Sequence, residues 1–265
     1  MTPLAAELLA AFERRQVIQP PSVRKPALDL AAAYGVGAEI AQMRRAAGHQ
    51  TVGWKVGYAN TAHWPTLQLD TVAWAHMYDD TVRYADWNDA TISIASMLAP
   101  KIEPEIVFRL ARVPASSDPV AVLEATEWIA LGFEIIDCVF PDWKVQPVDF
   151  VAALGLHAAL VVGEPVYIEP DEIAQRAGEL ADFTVRVLKN NELVEEGAGT
   201  NVFTSPALCI GELAGAMTRR GGETLKAGDV ISTGSLTKSM RIAPGETWIA
   251  SLSGIPPSAL TLRIK

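Results

Sequence analysis

Two apolar stretches that carry acidic residues decide the fold of this chain: KIEPEIVFRL at residues 101–110 and GFEIIDCVF at 132–140. Both alternate or run apolar over lengths that are typical of β-strands. In the first stretch, Glu103 and Glu105 stand two residues apart, which on a strand places both carboxylates on one face and the apolar side chains on the other. The pattern therefore predicts a strand with one acidic face.

The acidic residues of these strands predict a metal site. Glu134 in the second stretch is flanked by Phe133 and Ile135, where an exposed charge is out of place. A buried glutamate needs a cation, a proton or a partner, and neighbouring carboxylates also repel each other. A solvated strand face is the alternative interpretation of Glu103 and Glu105. Three carboxylates without His or Cys favour a hard cation, so we expect Mg²⁺ or Mn²⁺ rather than Zn²⁺.

The composition of the chain argues against some kinds of binding partner. The chain has 265 residues, 49% of them hydrophobic, and a formal net charge of −9. The acidic balance argues against nucleic-acid binding, which needs a basic surface. A small anionic substrate stays possible because a metal ion reverses the local charge. No stretch approaches the ~18 apolar residues of a membrane span, and Cys138 and Cys209 form no CxxC pair. We expect a cytoplasmic protein with no membrane or nucleic-acid partner.

The order of elements predicts an α+β fold. Apolar periodicity indicates helices in the first fifty residues, followed by a strand at 51–58 and a short helix with loops at 59–80. A helix is expected at 118–130, between strands of the β-rich remainder, and Asn190-Asn191 suits a hairpin turn. Helices first and strands later favour α+β over a doubly wound sheet. We predict a helical segment and cap at 1–80 and a β-rich catalytic core at 81–265, which together form one continuous unit.

Five motifs in this order resemble the hydratase/decarboxylase branch of the fumarylacetoacetate hydrolase superfamily. They are GWKVGYAN (53–60), WAHMYDD (74–80), EPEIVFRL (103–110), GFEIIDCVFPDWK (132–144) and LKAGDVISTGSLT (225–237). Familiar members are 2-oxopent-4-enoate hydratase and 4-oxalocrotonate decarboxylase. The resemblance implies a mixed, rolled β-sheet core with an N-terminal helical segment, assembled as a homo-oligomer. It also implies that the three glutamates bind Mg²⁺ or Mn²⁺.

The resemblance also implies the chemistry. Substrates of this branch are 2-oxo or 2-hydroxy-dienoic acids, whose carboxylate and 2-oxo oxygens can chelate one metal ion. We expect a lyase, with hydration of a 2-keto-4-pentenoate-like substrate ahead of decarboxylation of a 4-oxalocrotonate-like one. An acylpyruvate carbon–carbon hydrolase is a further alternative. A homologue without catalysis is the least favoured, because an idle site has no reason to keep a costly carboxylate cluster.

Several other residues are candidates for the site. Lys55 corresponds to a family lysine that points into the site, where it can stabilise the substrate carboxylate or enolate or carry a proton. Its alternative is a surface lysine. His76 and Asp79 could contact substrate, hold water or shuttle protons, although Asp79 could also belong only to a turn. Ser235 and Thr237 could offer hydroxyls to the ligand.

One segment departs from the family pattern. Hydratases and decarboxylases of this branch usually carry a polar ADNASS-like segment before a strand, where this chain has AALGLH at 152–157. Polar side chains are lost and the imidazole of His157 is gained. His157 is predicted to begin a strand beside the one that carries Glu134 and to act as an acid or base. A core histidine that is hydrogen-bonded to the backbone is the alternative.

Overall fold

Short helices surround two β-sheets in this chain. The computed structural model describes residues 2–256 and 259–265. Its helices are α1 (Pro3–Glu13), α2 (Pro21–Arg24), α3 (Leu30–Ala46), α4 (Trp64–Leu67), α5 (Pro119–Glu124), α6 (Pro147–Ala152), α7 (Ile173–Asp182) and α8 (Pro206–Arg220). Its strands are β1 (Thr51–Gly57), β2 (Ala73–Tyr78), β3 (Val82–Tyr84), β4 (Asp89–Ile92), β5 (Lys101–Leu110), β6 (Thr126–Ile136), β7 (His157–Val162), β8 (Val166–Tyr167), β9 (Thr184–Lys189), β10 (Glu192–Ala198), β11 (Val230–Ser232), β12 (Met240–Arg241), β13 (Thr247–Ser253) and β14 (Ala259–Ile264).

The larger sheet positions the acidic residues. Over the described residues it has nine strands, in the order β2-β1-β11-β5-β6-β7-β3, with β12 beside β5 and β8 beside β6. The β1–β11 and β3–β7 pairs are parallel, whereas β5 and β6 are antiparallel. The face that carries Glu103 and Glu105 also carries Val107, which is buried with Ala130 and Leu160 from the neighbouring strands. This inner face is thus apolar at one end and acidic at the other.

The smaller sheet covers the opposite face of the larger one. Its order is β10-β9-β13-β14-β4. The main apolar core includes Phe108 from the larger sheet, Leu262 from the smaller sheet and Ile210 from α8. Asn190 and Asn191 join β9 to β10 with φ angles of 51° and 68°, which suit the positive-φ turn of a two-residue hairpin. The predicted hairpin and the α+β class are confirmed.

The N-terminal helices form a separate apolar cluster. Leu8 of α1 and Ile40 of α3 are buried with Phe140 and Val151. The predicted N-terminal unit at 1–80 nevertheless contains β1 and β2, which are strands of the larger sheet. Residues 73–78, expected as helix and loop, form β2 because they pair with β1. Within the described ranges, no helix combines the length and apolar character needed to cross a bilayer.

The helix predicted at 118–130 is wrong in its second half. The Asp118 side chain accepts a hydrogen bond from the Val120 N–H group and begins α5, but this helix ends at Glu124. Trp128 and Ile129 instead belong to β6, where both are buried. Packing between the neighbouring strands outweighs the local preference for helix, as is common for short apolar runs.

Candidate active site

The two acidic strands bring three carboxylates together. Glu103 of β5 lies directly opposite Glu134 of β6, and Glu105 lies opposite Gly132. One oxygen of each glutamate lies within 4.8 Å of one oxygen of both others. Because side chains alternate between the faces of a strand, this register directs all three carboxylates to the inner face. The predicted convergence is present in the structure.

Burial and mutual repulsion disfavour the charged forms of these carboxylates. Glu105 and Glu134 are fully buried, and Glu103 is partly buried. Burial raises the pKa of Glu103 to about 7, although Lys55 opposes this effect. Burial also raises the pKa of Glu105 well above its usual value, and the charges of Glu134 and Glu103 add to the rise. The cluster therefore holds its full negative charge only at a cost.

Only one of the two carboxylate oxygens of Glu105 accepts hydrogen bonds from the described residues. Its Oε2 atom accepts hydrogen bonds from Ser232 Oγ at 2.5 Å and from the Gly234 N–H group at 2.8 Å. Its Oε1 atom is buried and has no hydrogen-bond partner among the described residues. Sequence reasoning missed Ser232, although it stands in the quoted ISTGS stretch. The pairing of β11 with β5, which directs Ser232 toward Glu105, was the signal that the sequence lacked.

Lys55 is the cation of the cluster. Its side chain is 2% exposed, and its Nζ atom lies 3.0 Å from Glu134 Oε2. The same nitrogen donates to the Gly155 carbonyl at 3.1 Å. Burial alone would lower the pKa of Lys55, but the three nearby carboxylates outweigh it and raise the pKa. Lys55 therefore carries a stable positive charge beside the glutamates.

Lys55 and His157 together hold Glu134. His157 Nδ1 lies 2.8 Å from Glu134 Oε1, and His157 Nε2 lies 2.9 Å from Thr81 Oγ1. A carboxylate only accepts hydrogen bonds, so Nδ1 carries the proton of that contact. Burial tends to raise the pKa of Glu134, but Lys55 and the hydrogen bond from His157 outweigh it and lower the pKa. Glu134 is thus the most firmly ionised of the three.

A cavity of about 570 Å³, here called the carboxylate cavity, opens over this cluster. Lys55 and Glu103 line it, as do Ser235 and Thr237. Its walls also include the aromatic rings of Tyr58, Trp143 and Phe150 and the amides of Asn60 and Asn201. The combination of apolar walls, a few polar groups and a charged floor is typical of a small-molecule site.

Two predicted site residues lie elsewhere. His76 pairs with Trp54, whereas Lys55 pairs with Ala75, so His76 faces the opposite side of the sheet from Lys55. It lines a different cavity. Asp79 is exposed near His49 and Asp80 and accepts a hydrogen bond from the Gln50 N–H group, as in the turn alternative. Neither residue lines the carboxylate cavity. His157 contacts Glu134 but is not part of the cavity wall, and both of its ring nitrogens already have partners.

The residues of the cluster fit a divalent cation. They offer only oxygen ligands, and two buried carboxylate oxygens, Glu105 Oε1 and Glu134 Oε2, accept no hydrogen bond from the described residues. A divalent ion would satisfy these atoms and offset the burial and repulsion that raise the pKa of Glu103 and of Glu105. Lys55 supplies only one positive charge against three carboxylates. The donor set therefore suits Mg²⁺ or Mn²⁺.

The chain matches a known protein family over most of its length. The model of the fumarylacetoacetate (FAA) hydrolase C-terminal family matches residues 53–263. The chain belongs to this family. The match begins within β1 and ends within β14, so it spans both sheets. The family and the rolled β-sheet core predicted from the resemblance are confirmed.

Relatives within this family include both lyase types that the sequence analysis considered. The chain is 28% identical to 2-keto-4-pentenoate hydratase of Paraburkholderia phymatum, over 95% of this chain and 93% of the relative. It is 27% identical to 4-oxalocrotonate decarboxylase of Pseudomonas sp. strain CF600, over 87% and 84%. A structure of 4-oxalocrotonate decarboxylase from Pseudomonas putida G7, complexed with magnesium and adipate, matches with a TM-score of 0.88 and 24% identity, covering 99% of this chain and 96% of that one. Hydration and decarboxylation both fit these relatives.

Proposed function

We propose that this protein is a divalent-metal-dependent lyase that acts on a 2-oxo acid, with hydration of a 2-hydroxy-dienoic acid as its main reaction. The observation that carries the proposal is the meeting of Glu103, Glu105 and Glu134 beside Lys55. Lys55 and Glu103 open this cluster to the carboxylate cavity. The hydratase and decarboxylase relatives support the class of reaction.

Glu103, Glu105 and Glu134 would hold Mg²⁺ or Mn²⁺ through one or more oxygens each. When bound, the ion supplies positive charge that binds the substrate carboxylate and polarises its 2-oxo group. The chain itself fixes the ligands: Ser232 and Gly234 hold Glu105, while Lys55 and His157 hold Glu134. Such fixed ligands lower the cost of reorganisation when substrate arrives.

Lys55 is the proposed substrate-binding cation. An ammonium group has three N–H donors, of which the Gly155 carbonyl accepts one, while Nζ also forms an ion pair with Glu134. A remaining donor is available for a carboxylate or enolate oxygen of a substrate in the cavity. Because the neighbouring carboxylates favour the charged form of Lys55, its proposed role is electrostatic.

His157 is proposed as a positioning residue for Glu134. Thr81 and Glu134 occupy its two ring nitrogens, and the ring is not part of the cavity wall. An imidazole that is hydrogen-bonded on both sides fixes the orientation of a metal-ligating carboxylate, as outer ligands commonly do. This role replaces the acid/base function that the sequence suggested.

Ser235 and Thr237 are proposed to meet the far end of the substrate, together with the neighbouring amides. Both side chains line the cavity, although Thr237 Oγ1 already donates to the Lys238 carbonyl at 3.1 Å. A small anionic 2-oxo acid is the proposed partner. Homo-oligomeric assembly and a cytoplasmic location stay predictions.

Product analysis tests the proposal. The purified protein is incubated with 2-hydroxypenta-2,4-dienoate, 2-oxo-3-hexenedioate or an acylpyruvate, with Mg²⁺, Mn²⁺ or EDTA, and products are followed by ¹H NMR. Metal-dependent addition of water to the dienoate is the expected result. Release of CO₂ from the hexenedioate would instead assign the decarboxylase, and cleavage of the acylpyruvate the hydrolase. No turnover of any substrate with either metal would contradict the lyase proposal.

A further inference from the structure

A second cavity lies on the other side of β1. It has a volume of about 430 Å³ and is called the outer cavity. Trp54, Trp74 and Tyr34 form aromatic walls, and small residues of α3, including Gly35, leave the space between them open. This volume is within the range of ~300–1,000 Å³ that is usual for small-molecule sites. Flat walls with an open interior suit a planar ring.

The charges of the outer cavity leave one cation in excess. Glu223 is paired with His76, with Nε2 and Oε2 2.7 Å apart, and with Arg45 at 3.6 Å. Arg220 forms no ion pair with any described residue, and its guanidinium carbon lies 3.8 Å from the centre of the Tyr34 ring. Stacking on a ring face fixes the guanidinium plane while its N–H groups stay available for a carboxylate.

A buried polar atom also lacks a partner here. His76 is 9% exposed and stacks on Trp54 at a centroid distance of 4.1 Å. Its Nε2 atom carries the proton that is donated to Glu223, because a carboxylate can only accept. Its Nδ1 atom is buried without a hydrogen-bond partner among the described residues. His76 therefore occupies Glu223 and leaves Arg220 as the unpaired charge among the described residues of the cavity, while Nδ1, which is closed off from the cavity, offers a ligand no contact.

We propose that the outer cavity binds an aromatic carboxylate. The ring lies between the aromatic walls, and the carboxylate pairs with Arg220. This site is separate from the carboxylate cavity, since Trp54 and Lys55 are neighbours on opposite faces of β1. The proposal does not depend on the lyase function.

Binding is tested directly with 4-hydroxybenzoate. Titrations by calorimetry and by quenching of tryptophan fluorescence use the metal-free Glu105→Ala variant, so that the carboxylate cavity cannot take the ligand through a metal. Saturable binding to one site per chain is expected. Adding Arg220→Gln should weaken binding by at least ~10-fold, the scale of one charge-assisted hydrogen bond. Benzyl alcohol, which lacks the carboxylate, should bind no better to the protein with Arg220 than to the variant without it.

Two helical glycines provide a matched pair of blocking variants. Apart from the backbone of its own helix, no heavy atom of the described residues lies within 4 Å of a Cβ atom added at Gly35, so Gly35→Leu should keep the helix and fill the cavity. Gly178 in α7 is equally open but lies outside the cavity, so Gly178→Leu is the control. Loss of binding in Gly35→Leu alone supports the proposal.

Three results would overturn the proposal. They are the absence of saturable binding, equal affinity in the Arg220→Gln and Arg219→Gln variants, and a change of oligomeric size on Gly35→Leu. Arg219 is the charge-matched control because it pairs with Glu212 at 2.7 Å and does not line the outer cavity. A change of size would mean that a second copy of the chain covers this face. Circular dichroism on each variant verifies that the fold is kept.

Discussion

Strand β1 directs Lys55 toward the carboxylate cavity and Trp54 toward the outer cavity, so adjacent residues serve two different environments. The carboxylate cavity has three acids against one buried cation, and burial raises the pKa of two of these acids. In the outer cavity, by contrast, the acid Glu223 is matched by His76 and Arg45, and the walls are aromatic. The carboxylate cavity therefore needs a further cation to balance its acids. The outer cavity instead keeps one cation, Arg220, available for an anion.

Removing a carboxylate should have the largest effect. Glu105→Ala is expected to reduce kcat/KM by at least ~10³-fold, because two remaining carboxylates hold the ion weakly and a major electrostatic group is lost. Steady-state kinetics with saturating Mn²⁺ and a metal-binding titration measure the effect. Glu127→Gln is the matched control, since this exposed acid of β6 pairs with Arg109 away from the cavity. Equal activity of the two variants would remove the basis for the metal site.

Lys55 should come next in the same cavity. Lys55→Ala is expected to lower turnover by at least ~10²-fold, the usual scale of one such charged group. Lys55→Arg should not restore it, because the fork of a guanidinium does not fit between Glu134 and the Gly155 carbonyl. Lys25→Ala, at an exposed position, controls for loss of charge. Normal turnover in Lys55→Ala would place Lys55 outside the chemistry.

His157 separates a positioning role from an acid/base role. His157→Gln is expected to weaken Mn²⁺ binding by ~10- to 100-fold, the range found for outer partners of metal ligands. Thr81→Val should act in the same direction and be less than additive with it, because both act through Glu134.

The pH–rate profile can contradict the positioning role of His157. A positioning role leaves the limbs of the profile in place at saturating metal. If His157→Gln deletes a limb of the profile while metal affinity stays normal, His157 is an acid or base instead.

The burial of these carboxylates should also affect the free energy of unfolding. In the metal-free protein, burial raises the pKa of Glu103 to about 7, so the folded state binds a proton that the unfolded chain has already lost. The free energy of unfolding should therefore fall as the pH rises from ~4.5 to ~7, because the native state then binds more protons than the unfolded state. The lowered pKa of Glu134 acts in the opposite sense, but only below its ordinary range.

Urea unfolding in EDTA at several pH values measures this slope. Glu103→Gln should reduce this slope, because amides do not titrate, while Glu105, whose pKa is also raised, retains part of it. Saturating Mg²⁺ should raise stability most at the higher pH values. A metal-free protein with no loss of stability between pH 5 and 7 would contradict the assigned direction of the pKa shift.

Alanine substitutions at two glycines, one in each cavity, should give the smallest effects, which are changes in stability of opposite sign. Gly35→Ala should stabilise the protein by about 0.5–1 kcal/mol, since it removes a helical glycine at a position with open space. Gly155→Ala should destabilise by at least ~1–2 kcal/mol, because its φ of +63° suits glycine. An added Cβ atom at Gly155 would also lie 2.7 Å from Lys55 Cδ. Thermal melts that move both variants in the same direction would contradict this difference.

The sequence by itself determined the chemistry of the carboxylate cavity. Glu103 and Glu105 could be placed on one strand face because the period of a strand is two residues. Glu134 was recognisable because a charge within an apolar run needs a partner. The hairpin at Asn190-Asn191 was likewise local, since it depends on residues that adopt positive φ angles.

Only the tertiary structure decided which side chains meet. The register of β1 against β2 put His76 beside Trp54 and away from Lys55, and no local pattern contains that register. Contacts between β6 and β7 turned His157 onto Glu134, and the pairing of β11 with β5 brought Ser232 to Glu105. Residues 126–130 became strand rather than helix for the same reason. Sequence patterns report the period of a segment, whereas pairing depends on the strands that pack against it.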